Sequence, residues 1–181
     1  IIFTDSGWKS DNTFRGNEGA TKYTAPSALN AGTVISYVTN SANFTSANDA
    51  NVGTSGLNLS ASGDQILAFQ GASSSPTFIY AAQINSNQWQ TNSNDANQSD
   101  IPQGLVNGVT AVAVGSGSGA ESEYDNAWYS GSTSANPSSL LALIGDNSNW
   151  TGNNSSYSPQ TSFTISTVDA TITGDAGWRL L

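Results

Sequence analysis

The stretch SGDQILAFQGASSSPTFIYAAQI, residues 62–84, carries two apolar runs, 65–70 and 76–84, separated by Gly-Ala-Ser-Ser-Ser. Short β-branched and aromatic runs joined by a small polar loop predict an antiparallel hairpin. Its side chains are suited to packing and hold almost nothing reactive, so any chemistry has to come from elsewhere in the chain.

Working outward, the same strand-and-turn punctuation recurs in IIFT (1–4), TKYTA (21–25), TVISYVT (33–39), LNLS (57–60), VTAVAV (109–114), NAWYS (126–130) and SFTISTVDATIT (162–173). Many short strands between Gly, Asn and Ser clusters predict an all-β fold, an antiparallel β-sandwich of immunoglobulin-like or jelly-roll-like type. No composition break divides residues 1–181, which predicts one domain. One segment departs from this pattern. In ANPSSLLALIGD, Asn136 suits a cap, Pro137 a first helical position and Gly145 a stop, so a short helix is expected over 137–144. In 163–172, Phe163 and Ile165 have one parity and Val168, Ala170 and Ile172 the other, which predicts a bulge or bend near Thr167–Val168.

Charged residues make up only 9% of the 181, against about 25% in an average domain, and Ser, Thr, Asn and Gly take their places. Four cations against 13 carboxylates give a formal charge of −9 with no basic run, which argues against nucleic acid and anionic membranes as partners. No run approaches the roughly 20 apolar residues of a membrane span. The chain opens on IIFT with no charged leader and contains no Met, as expected of a processed or excerpted protein. This uncharged, acidic, Asn/Ser/Thr/Gly-rich composition predicts a secreted or cell-surface protein.

With no His and no Cys, Ser-His-Asp and Cys-His machinery, disulfides and the usual zinc sites are excluded. Carboxylate chemistry remains. Glu121, Glu123 and Asp125 alternate in ESEYDN, so on a strand they would share a face at spacings of about 7 Å. That pattern is compatible with a solvated face, a calcium site or the carboxylate pair of an inverting glycosidase. In DANQSD, the oxygens of Asp95, Asn97, Ser99 and Asp100 echo the start of a calcium loop, without its Gly or distant Glu. A polar turn closed by Asx hydrogen bonds is the competing reading, and NDANVG (48–53) is a fainter echo. Any bound metal is expected to be calcium, held by these oxygens. Lys9 and Lys22 adjoin Trp8 and Tyr23 and read as surface cations rather than bases.

Five Trp residues permit a carbohydrate platform, although burial in the core is the commoner fate. Sequons at Asn43, Asn58, Asn97, Asn149, Asn153 and Asn154 arise readily in such a composition. The two ends share Asp-x-Gly-Trp followed by a cation, TDSGWK (4–9) and GDAGWR (174–179), which suggests related turns that seat each Trp.

The ordered blocks FTDSGW, GNEGATKYTAPSALNAGTVI, LNLSASGDQILAFQG, PTFIYAAQI, IPQGLVNGVTAVAVG, YDNAWYSG and SSLLALIGDNSNWTG cover nearly the whole chain. SGDQILAFQG and DNAWYSG are the most specific of them. Together they resemble a β-domain of secreted bacterial surface and multidomain proteins, with a lamin-tail-like or immunoglobulin-like architecture. The resemblance implies no catalytic residues. The missing His and Cys, the all-β pattern and the resemblance together predict a non-enzymatic structural or adhesive role, and the scarcity of Lys at strand edges with the apolar start at Ile1, Ile2 and Phe3 predicts self-association of subunits through β-strand edges into a fibre or surface layer. The alternative is an accessory carbohydrate- or calcium-binding module of a larger secreted enzyme. The resemblance also implies a strand before FTDSGW, whose edge a neighbouring subunit would fill by β-augmentation. Plain pairing of residues 1–4 within the chain is the other expectation.

Overall fold

The computed structural model describes residues 1–30, 32–37, 41–119, 122–155 and 164–165. In chain order its elements are β1 (Ile2–Thr4), β2 (Ala20–Tyr23), β3 (Phe44–Ser46), β4 (Gln65–Gln70), β5 (Thr77–Gln83), β6 (Ala111–Ala113), β7 (Asn126–Tyr129), β8 (Ser134–Ala135), α1 (Pro137–Gly145), β9 (Trp150–Asn153) and β10 (Thr164–Ile165). One six-stranded sheet runs β3-β2-β1-β4-β5-β6, accompanied by two-stranded sheets β7-β9 and β8-β10.

The 62–84 hairpin forms as its sequence predicts. β4 and β5 pair antiparallel from Gln65↔Gln83 to Gln70↔Thr77, and Gly71 takes the left-handed φ of 84° that begins the turn. A register shift between Ala68 and Phe69 places Phe69 opposite Phe78, so both rings enter the core. There Trp8 meets Phe14 and Phe78 edge-on, at 5.0 and 4.8 Å between centroids.

This face of the sheet is graded along the strands. Ile2 opposite Phe69 forms an apolar end, Thr4 opposite Leu67 and Leu67 opposite Ala81 the middle, and Gln65 opposite Gln83 a polar end.

β1 lies inside the sheet, antiparallel to both β2 and β4. Residues 2–4 therefore pair within their own chain, and the N-terminal amine donates to the Tyr23 carbonyl at 3.2 Å. The wholly antiparallel sheet expected from sequence is corrected at the other side, where β6 runs parallel to β5. A parallel neighbour needs a long crossover. The 84–110 connection supplies it and carries Trp89, Ile101 and Leu105 onto the core.

The helix begins as anticipated, with the Asn136 side chain accepting from the Ser139 amide at 2.9 Å and Pro137 in the first turn. At its far end, the Ile144 carbonyl accepts from both the Tyr80 hydroxyl (3.1 Å) and Trp150 Nε1 (2.8 Å), joining helix, large sheet and β9. Among the described residues no helix is long and apolar enough to cross a membrane.

Of the strands expected at 33–39 and 57–60, the described residues 33–37 and 57–60 form none. β2 is paired on both sides, by β1 and β3, and 33–37 forms no ladder with the outer edge of β3. The expected bend at Thr167–Val168 lies outside the described residues. Leu67 is fully buried at the centre of the core. Leu67→Ala should cost about 2–5 kcal/mol of unfolding free energy in urea titrations followed by Trp fluorescence.

Candidate functional site: a buried polar end of the sheet

Where the chain leaves β1 and enters β4, charged and amide side chains occupy buried positions that the face of a sheet would normally fill with apolar ones. Asp5 and Asp64 are 1% and 2% exposed, and Gln65 and Gln83 are 1% each. Burial at this level is costly unless each polar atom finds a partner.

Asp5 is the hub. Its carboxylate accepts from the Asn58 amide at 2.6 Å and the Gly19 amide at 3.3 Å, and its carbonyl accepts from Gln65 Nε2. Gln65 Nε2 also donates to the Ala96 carbonyl at 3.0 Å, tying the 95–100 loop to the sheet. Asp64 accepts from the Ser60 amide at 2.7 Å and the Gln65 amide at 2.8 Å. Half-buried Glu18 precedes Gly19, and its carbonyl accepts from the Ser55 amide at 2.9 Å. Gly53, at φ 99°, lies directly on the Glu18 backbone, where a Cβ would clash, so only glycine lets the 49–56 loop close here.

The partners do not balance. Arg15 is the one cation acting on Glu18, against Asp64, Asp5 and Asp95, and its Nη2 donates to Ser93 Oγ at 2.6 Å. Glu18 Oε2, Gln65 Oε1, Gln83 Oε1, Asn85 Oδ1 and Asn87 Oδ1 are buried acceptors without a hydrogen-bond partner. Desolvation, reinforced by the charges of Asp64 and Asp5, pushes the Glu18 carboxyl up to about 8. Desolvation likewise pushes Asp64 up to about 7 against its two backbone amides, and it raises Asp5. Acids held neutral near pH 7 can donate protons, the property used by catalytic acids. Two surface concavities, one at β3 and one beside α1, are lined by none of the three.

The residues singled out in the sequence are placed differently. In the 95–100 loop, Asp95 accepts from the Asn97 amide at 2.9 Å, while buried Asp100 accepts from the Asn92 and Ser93 amides at 3.0 and 2.7 Å. Ser99 Oγ accepts from the Trp8 amide at 2.9 Å and donates to the Asp100 carbonyl at 2.7 Å. These are the bonds of a polar turn strapped to the core, and Asp95 additionally lies within electrostatic reach of Glu18. Glu121 lies outside the described residues. Residues 122–125 form no strand; Glu123 is half-buried with its Cβ against Gly63, and Asp125 is exposed. Among the described residues no three acidic side chains group as metal ligands. Trp8 is a core residue at 4% exposure, and Trp178 lies outside the described residues.

Sequence reading passed over Asp5, Glu18 and Asp64. Their signal was positional, since Asp5 directly follows an apolar run and Asp64 directly precedes one in a chain with few charges. Comparison with protein-family models, curated proteins and solved structures finds no match to this chain.

The raised carboxyls fix the sign of the pH dependence. The folded state holds these protons more tightly than the unfolded chain, whose Glu value is near 4.5. The associated stability is fully present below that value and is lost as pH climbs through about 7 and 8. Urea midpoints in metal-free buffer should therefore fall between pH 5 and pH 8.5, with a shallower fall in Glu18→Gln. A midpoint that rises over this interval would contradict the assignment.

Proposed function

We propose that the protein is a non-enzymatic structural or adhesive domain of the extracellular or cell-surface environment, associating with further copies of itself by strand addition at β3. In this reading the six-stranded sheet is one layer of a sandwich of the exported bacterial type that the sequence resembles. The observation that carries the proposal is the state of the β3 edge. Among the described residues β3 is the outermost strand on its side of the sheet, paired only through β2. Bonds from Thr24 to the Asn43 carbonyl and from Ala47 to the Ala20 carbonyl turn the odd positions of β3 inward, which sends the backbone of Ser46 and the Phe44 carbonyl outward, the Phe44 amide being closed onto the Ser41 carbonyl at 3.0 Å.

Beside this edge lies the unpaired 33–37 run, with Val34, Ile35 and Tyr37 each 37–41% exposed and the Tyr37 ring 5.1 Å from Phe44. Proteins that remain monomeric blunt such edges with Lys, Pro or a bulge. Here β3 itself carries no Lys or Pro, and Lys22 sits one strand inward, opposite Thr45. A β-branched run without a strand beside it, next to an open edge, supports pairing between copies.

A second reading rests on the same region. A concavity of about 460 Å³ lies between Tyr37, Phe44, Asn48 and Asn58, an aromatic-and-amide lining of the kind that takes a sugar ring. Sedimentation velocity distinguishes the two. Assembly predicts species larger than the monomer that grow with protein concentration and disappear in Ile35→Lys, an exposed change that leaves the monomer folded. A chain that remains monomeric at every concentration yet binds on a glycan array would replace assembly with the carbohydrate reading.

A further inference from the structure

Given self-association at β3, on which this reading rests, we infer that two copies pair β3 against β3 across a two-fold axis at Thr45 and that the contact closes there. The two edges of the large sheet are unequal, and the far one has no room for a further strand.

That far edge, β6, is occupied by its own chain. The Ala81 amide donates to the Thr110 carbonyl at 3.2 Å and the Val114 amide to the Gln83 carbonyl at 2.7 Å, so the even positions of β6 face β5 and the odd ones face away. On the outer side, the Ala111 amide donates to the Val106 carbonyl at 3.1 Å, and the Ala111 carbonyl accepts from the Gly108 amide at 2.9 Å. The 106–110 turn thus takes the place of an incoming strand at Ala111. α1 closes over this turn, since Gly145 lies so near the Gly108 carbonyl that a Cβ would clash. Ala113 is buried and borders Ala142 and Gly145 of the helix. A head-to-tail series of β3 on β6 is therefore barred, and with it open growth through this sheet.

The β3 edge is open and matches itself. Among the described residues, the Ser46 amide and carbonyl and the Phe44 carbonyl face outward without a backbone partner. A two-fold axis at Thr45 sets Ser46 of each copy opposite Phe44 of the other, so each Ser46 amide donates to a Phe44 carbonyl. The reverse bonds do not form, because the Phe44 amide is closed onto the Ser41 carbonyl. A two-fold contact also places each side chain near its own counterpart, which penalises any charge at the edge. Residues 23–48 contain no charged side chain, in a chain of formal charge −9. Beside the edge, exposed Val34, Ile35 and Tyr37 supply apolar surface for the two copies to cover.

The test uses the full chain, which contains no Cys of its own. Thr45 is exposed, and across the axis the two Thr45 residues form a non-hydrogen-bonded pair with Cα atoms about 4.5 Å apart, within reach of a disulfide. Thr45→Cys under mild oxidation is expected to give a covalent dimer on a non-reducing gel, whereas Val109→Cys, exposed at the β6 end, stays monomeric. Sedimentation equilibrium of the unsubstituted chain should level off at twice the chain mass as concentration rises. Masses that climb past the dimer, or a dimer in which Thr45→Cys does not cross-link, would overturn the two-fold contact while leaving self-association in place. A chain that is monomeric at every concentration removes self-association, and the two-fold contact with it.

Discussion

The fold turns on the residue that ends β1. Thr4 is the last paired position of β1, opposite Leu67, and Asp5 follows it into full burial. From there its carboxylate fixes the amides of Gly19 and Asn58, and its carbonyl fixes the side chain of Gln65. Three segments far apart in sequence are thus held at one point. A buried carboxylate that accepts backbone N–H bonds retains solvation that an apolar core would deny it. If Asp5 were apolar, the backbone amides of Gly19 and Asn58 would lose their acceptors together, while the main-chain carbonyl that holds Gln65 would remain.

This arrangement explains how a chain with so few charges uses those it has. Exposed surfaces are covered mostly by Ser, Thr, Asn and Gly, while Asp5, Asp64 and part of Glu18 are drawn inward. Collecting acids inside raises their affinity for protons, because burial penalises charge and each carboxylate repels the next. Outside, the scarcity of charge leaves the β3 edge without its usual protection. The polar interior and the open edge therefore have a common origin in composition.

Local signals in the sequence were read well where the structure is locally determined. The 62–84 hairpin and the Asn136-Pro137 helix start follow from turn chemistry and capping within a few residues. β3, β8 and β9 were missed because they are two to four residues long and polar, with pairing decided by distant partners. The 33–37 run was read as a strand on β-branched content alone, which says nothing of whether a neighbouring strand is free. The parallel β5-β6 pair likewise depends on the long 84–110 crossover rather than on either strand's pattern. The acidic cluster was illegible for the same reason: Asp5, Glu18 and Asp64 become neighbours only once β1 lies between β2 and β4.

The central claim is that the sheet's polar end keeps carboxyls in an environment that opposes their ionisation. The most direct measurement is the titration of the Glu18 side-chain carboxyl by ¹³C NMR in metal-free buffer, assigned with Glu18→Gln. The account predicts a midpoint near 8. A midpoint at the ordinary value of about 4.5 would place Glu18 in water and contradict it.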